Sequence, residues 1–189
     1  MPTDRNLIKK EVSTYASALL AAASSDEEIF SVGGELEEVV RVVIGNPTLR
    51  KTLDDGTIDA STRAQIVSSV FEGIRPSLIA VLEVMAERGD TALLLRVSEA
   101  YNALAEEQLR ATFVTVVTAI ELDDELRTSI KKKLSGDFGT DILLREKVDE
   151  SILGGIILSA HGKRIDASVT SQLENARVVL STMPTGGER

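Results

Sequence analysis

The stretch that decides the fold is Ala111-Thr112-Phe113-Val114-Thr115-Val116-Val117-Thr118-Ala119-Ile120. It is β-branched and uncharged, which suits a strand half buried on a pleated surface. Everything before it has helical spacing. Everything after it mixes strands with two helices. The expectation is an α+β chain: an N-terminal six-helix bundle over residues 1–107, a small C-terminal α/β domain over 108–183 with a short sheet and two helices, and a mobile tail at 184–189.

Upstream, Ile8, Val12, Tyr15 and Leu19 step by 4, 3 and 4 along one helix face. Ser25 with Glu28 predicts a capping box for a second helix. Its stripe, Ile29, Val32, Leu36, Val39 and Val43, runs through Gly33-Gly34, so a single helix is kept there. Asn46-Pro47 reads as an N-cap followed by proline in the first helical turn, opening a short helix to Leu53. Asp54-Asp55-Gly56 is a turn. Ile66, Val67, Val70 and Phe71 supply the next face after Asp59. Leu78, Leu82 and Met85 supply another after Arg75-Pro76. Gly89-Asp90 is expected to end that helix and cap the one carrying Leu94, Val97, Tyr101 and Leu104.

Downstream, Asp123 is expected to cap a helix with Leu126, Ile130 and Leu134. Lys131-Lys132-Lys133 is placed near its C-terminal end, where cations complement the helix dipole. Gly136 and Gly139 bracket the exit. Strands are expected over 142–147, 153–159 and 163–166, the last two joined at His161-Gly162. A final helix follows Asp166, with Val169, Leu173, Ala176 and Leu180 on one face.

The 189 residues are 43% apolar and 27% charged, enough for a packed core. The net charge of −9 argues against a nucleic-acid partner, because phosphate neutralisation needs excess Lys and Arg. Residues 1–107 carry net −8 and the remainder −1. A partner of the first region should therefore be neutral to basic, or bind through apolar contacts. Cysteine is absent and His161 is the one histidine. That excludes disulfides, thiolate metal sites and a multi-histidine centre. The longest uncharged run, 12–25, has 14 residues, too few to span a bilayer. With no secretory or transit pattern at the N-terminus, a soluble intracellular protein is expected.

No phosphate-binding glycine loop is present. His161 with Asp166 is the one pair to weigh as acid and base, but a hairpin tip rarely offers a pocket. The acidic runs 26–28, 37–38, 54–55 and 123–125 lack EF-hand spacing and suit helix starts. No cofactor, metal or catalytic residue is expected. The residues by themselves read as an adaptor, a cytosolic helical bundle binding another amphipathic helix, rather than as an enzyme.

The segment Val148-Asp149-Glu150-Ser151-Ile152-Leu153-Gly154-Gly155-Ile156-Ile157 is followed by His161-Gly162-Lys163-Arg164-Ile165-Asp166-Ala167-Ser168-Val169 and Gln172-Leu173-Glu174. It resembles the signature of the delta subunit of the F-type ATP synthase, the family of the mitochondrial oligomycin-sensitivity-conferring protein. That signature is V-D-x-S-[IL]-[IL]-G-G-[IV], a turn, then I-D-G-S-V and a helix with L-E. Tyr15-Ala16-Ser17-Ala18-Leu19 is similar to the family's Y-A-x-A-L, and Val84-Met85-Ala86-Glu87-Arg88-Gly89 to the end of its fifth helix. Ala167 replaces the usual glycine, and Lys9-Lys10-Glu11-Val12 replaces the usual lead-in to the tyrosine.

The resemblance implies a non-catalytic stator subunit of the ATP synthase. The helical domain would hold the N-terminal helix of an alpha subunit in a groove between its first and fifth helices. The second domain would grip the C-terminal end of the b subunits, and the complex would hold it at the cytoplasmic face of the plasma membrane. The groove candidates are Tyr15, Ala18, Leu19, Leu78, Leu82 and Val84. Asp149, Gly154, Gly155, Asp166 and Ser168 are expected to serve the fold, by close packing or by capping the last helix.

Overall fold

The computed structural model describes residues 2–182, with side chains for residues 5–178. The chain is mixed α+β and divides into two compact units, 1–109 and 110–189. Residues 184–189, expected as a tail, lie outside the described residues, as does the Leu180 side chain.

Among the described residues the first unit holds six α-helices: α1 (Pro2–Ala22), α2 (Asp26–Gly45), α3 (Pro47–Asp54), α4 (Ala60–Val70), α5 (Pro76–Arg88) and α6 (Leu94–Leu109). A single 3-10 turn, Thr91–Leu93, leads into α6. Helix α1 packs on α5 and α6, α2 on α3 and α6, and α4 on α5. The apolar stripes meet in one core, where Leu19, Leu36, Leu78, Met85, Val97 and Tyr101 are almost wholly buried. Burying one such side chain contributes about 1.5–3 kcal/mol.

Helix α2 runs unbroken through Gly33-Gly34, and its buried residues continue along one face before and after the pair. Its N-terminus departs from the expected capping box. Ser25 Oγ accepts from the Glu28 amide at 3.2 Å, but Glu28 returns to the Ser24 amide at 2.8 Å, one residue before the cap. In α4, Val70 is exposed and Arg63 and Ala64 are buried, so the inward face is rotated from the apolar reading. Asp90 caps nothing with its side chain. It accepts a hydrogen bond from Tyr15 Oη at 2.6 Å instead.

In the second unit the strands are β1 (Ala111–Thr118), β2 (Asp141–Val148), β3 (Gly155–Ala160) and β4 (Lys163–Ser168), in the order β2-β1-β3-β4. Strands β1 and β2 are parallel, from Ala111 opposite Asp141 to Thr118 opposite Val148. A parallel pair needs a long crossover, supplied here by α7 (Asp124–Phe138). Strand β3 is antiparallel to both β1 and β4. Val114, Val116, Leu134 and Ile142 form the core between sheet and α7.

Three expectations need correction in this unit. Leu153 and Gly154 precede β3, because a 3-10 turn at Glu150–Ile152 ends in Leu153 at φ 62°. Lys131-Lys132-Lys133 lies mid-helix rather than in the last turn of α7, which continues through Gly136 to a left-handed cap at Gly139. The β1 strand stops at Thr118, where the Asp149 amide donates to its carbonyl. At the hairpin both His161 and Gly162 have positive φ, 49° and 72°, as a type I′ turn requires. The last helix, α8 (Val169–Thr182), begins after Ser168.

Candidate functional site

Four of the six groove candidates are core residues. Tyr15, Leu19, Leu78 and Leu82 are buried, because the spacing that would line a groove also fills the inside of a bundle. Ala18 on α1 and Val84 on α5 are the two that face solvent, Val84 at 43% exposure. On α5 a solvent-side row runs Ser77, Ala80, Val81 and Val84, small or aliphatic residues at spacings of 3, 1 and 3. Such a row makes a shallow surface that a second helix can approach closely.

The α1–α5 region is tied by polar contacts. Tyr15 Oη donates to Asp90 Oδ2, just past the end of α5, and burial together with that carboxylate pushes the Tyr15 pKa up to about 12. Arg88 lies 3.4 Å from Asp90 and 4.0 Å from Glu11 of α1.

Two arginines that sequence reasoning missed hold α5 at its ends. Arg63 is buried, and its guanidinium donates to four backbone carbonyls. Two belong to the end of α5, Ala86 at 2.8 Å and Glu87 at 3.0 Å. Two belong to the turn before α4, Asp55 at 3.1 Å and Ile58 at 2.7 Å. It thereby satisfies carbonyls that a helix terminus leaves without intrahelical partners. Arg75, at the start of α5, reaches Glu28 at 2.8 Å and Glu35 at 3.1 Å on α2. Its pKa rises through these carboxylates, Glu35 first. Glu28 is lowered mainly by the Ser24 amide and then by Arg75.

Four of the five signature residues surround the entry to α8, and the fifth, Asp149, caps the 3-10 turn at Glu150–Ile152. Asp166 Oδ1 accepts from the Ser168 amide at 3.0 Å and its hydroxyl at 2.7 Å, which holds the Asp166 carboxyl well below the usual range. Ser168 in turn caps α8, accepting from the Ser171 amide at 3.2 Å. Gly155 sits at φ 80°, and a Cβ there would lie 2.4 Å from the Ala167 carbonyl oxygen and 2.9 Å from Ser168 Cα. A Cβ at Gly154 would lie 3.3 Å from Val169 Cγ2, and the Gly154 carbonyl accepts from the Val169 amide. Asp149 Oδ1 accepts from the Ser151 amide at 2.9 Å and is lowered through Ser151. His161 stands at the exposed hairpin tip, edge-on to Phe138, while Asp166 pairs opposite Ile157. The structure does not bring them together as an acid–base pair.

Among the described residues no group of His, Asp and Glu could hold a metal ion, and no helix is long and apolar enough to cross a membrane. These features define an α+β chain of two units, in which the hydrogen-bonded polar side chains named above tie helices and turns together.

A family model described as ATP synthase delta (OSCP) subunit matches residues 12–180. The chain is 33% identical to the ATP synthase subunit delta of Rhodopirellula baltica, over 85% of this chain and 72% of that protein. It is 29% identical to the Prochlorococcus marinus protein of the same name, over 93% and 98%. A chain of the Toxoplasma gondii mitochondrial ATP synthase hexamer shares the fold at 20% identity, with a TM-score of 0.51 over 92% of this chain and 98% of that one. The chain belongs to the ATP synthase delta (OSCP) subunit family, a family of the peripheral stalk of the F-type ATP synthase.

Proposed function

We propose that this chain is a non-catalytic stator subunit, joining the alpha subunits of the catalytic head to the b-subunit stalk so that the head resists rotor torque. The observation that carries the reading is the family match from residue 12 to residue 180, which runs through both units. The first unit receives the N-terminal helix of an alpha subunit on the α1–α5 face. Ala18 and Val84 touch that helix. Tyr15, Leu19, Leu78 and Leu82 hold the face in shape from beneath. The second unit holds the C-terminal end of the b subunits. Exposed Val169 and Leu173, about one turn apart on α8, provide apolar area for that contact. The complex carries the subunit at the cytoplasmic face of the plasma membrane, and no part of it touches nucleotide.

The test is titration calorimetry with a synthetic alpha-subunit N-terminal peptide. Wild type should bind it, and Ala18→Glu and Val84→Glu should each weaken binding at least tenfold while leaving thermal unfolding unchanged. A wild type with no affinity, or variants that bind as well as wild type, would sink the proposal.

A further inference from the structure

The first unit is acidic overall, yet one groove on it is basic. It runs between α1 and α6, roughly a third of a turn around α1 from Ala18. Ile8, Val12 and Ala100 form its floor, and Arg5, Lys9 and Arg96 stand on its rim, with Glu99 the one carboxylate among the described residues that line it. The three cations are exposed, and none is engaged in an ion pair among the described residues. In a unit with 18 acidic and 10 basic side chains over residues 1–107, three cations around one apolar trough reverse the local sign.

We infer that the α1–α6 groove binds an acidic amphipathic helix of a partner protein, with its apolar stripe on Ile8, Val12 and Ala100 and its carboxylates against Arg5, Lys9 and Arg96. Geometry and charge both select this occupant. Arg5 and Lys9 are one turn apart on α1, about 6 Å along its axis, which matches carboxylates at i and i+4 on a helix laid alongside. An elongated trough between two helices receives a rod better than a plane. An anionic membrane surface is disfavoured, because the remaining acidic side chains of the unit repel an extended negative plane while a single helix meets the rim alone.

This site is separate from the α1–α5 face and does not depend on the stator reading. The probe is a fluorescein-labelled 16-residue helical peptide with leucines at i, i+3, i+4 and i+7 and glutamates on both flanks. Its counterpart carries lysines in place of the glutamates. Fluorescence anisotropy on the full chain should show the acidic peptide binding at least tenfold more tightly than the basic one, and weakening as salt rises from low to high concentration. The triple variant R5E/K9E/R96E should lose at least tenfold, and Arg96→Gln alone about threefold. Val84→Glu should bind the probe as wild type does, which separates failure here from failure of the alpha-subunit site. Equal affinity for the two peptides, an unaffected triple variant that retains its circular dichroism, or an unaffected Arg96→Gln protein would overturn the inference. So would tighter binding to phosphatidylserine vesicles than to the acidic peptide.

Discussion

Helices α5 and α8 differ by one residue in length and both carry aliphatic residues at helical spacing. Their fates are opposite. Helix α5 puts Leu78, Leu82, Met85 and Ala86 into the core. Helix α8 leaves Val169 at 39% and Leu173, one turn on, at 59% exposure. Periodicity therefore identifies a helix without saying who covers its apolar side. In α5 the cover is the protein itself, and the two arginines hold the helix against it. In α8 the chain secures the helix start, through Asp166, Ser168 and Gly155, and leaves the stripe in solvent.

The comparison can be broken at four points. The largest effect should come from Gly155→Val, whose side chain collides with backbone at a φ that strains any L-residue. About 4 kcal/mol of stability should be lost from the second unit in urea unfolding. A loss under about 1 kcal/mol would show that the corner can open, and that α8 is not secured there. Next, Leu82→Ala should remove about 3 kcal/mol by opening a cavity. Leu173→Ala should stay within about 0.5 kcal/mol, as an exposed position does. Equal losses at the two sites would erase the contrast between the helices.

Arg63→Met should lose about 2 kcal/mol, because it strands carbonyls at the end of α5 and in the turn before α4. Arg63→Lys should recover less than half, since an ammonium cannot span four acceptors in a plane. Apart from the exposed Leu173 control, the smallest loss is Tyr15→Phe, at about 1.5 kcal/mol near pH 7. It also carries a pH signature. The Tyr15 pKa is raised from 10.0 to about 12 in the folded protein, so its contribution is complete below pH 10 and disappears as pH climbs toward 12. Melting temperatures of wild type and Tyr15→Phe measured across that window should converge. Curves that run parallel would mean that burial of the hydroxyl, and not its ionisation, sets the difference.

Helices and strands were legible wherever side-chain period and local caps agree, as at Asn46-Pro47 and Asp123. Their side chains accept from the Leu49 and Leu126 amides at 3.1 and 2.7 Å. The illegible parts depend on distant partners. Asp90 looks like a cap beside Gly89, but its partner is Tyr15, 75 positions away. Arg63 has no local marker, because its partners lie in the turn before α4 and at the end of α5. The parallel pairing of β1 with β2 has no local marker, because either orientation satisfies the same alternation. At the candidate site the sequence placed residues on α1 and α5 but could not separate the inner side of a helix pair from its outer side. Tyr15, Leu19, Leu78 and Leu82 fell inside, and Ala18 and Val84 outside.

The placement of β1 has a mechanical consequence. The chain passes from α6 into the sheet across the single residue Arg110, so tension along the chain between the units enters through β1. That strand is flanked by β2 along its whole length and by β3 at its far end. A pull along its axis loads these hydrogen bonds in shear, so many must yield together. The hairpin of β3 and β4 would instead unzip one rung at a time if pulled at its open end. Force along the chain thus enters at the strand best able to bear it, and the sheet order makes the second unit stiff in one direction and compliant in another.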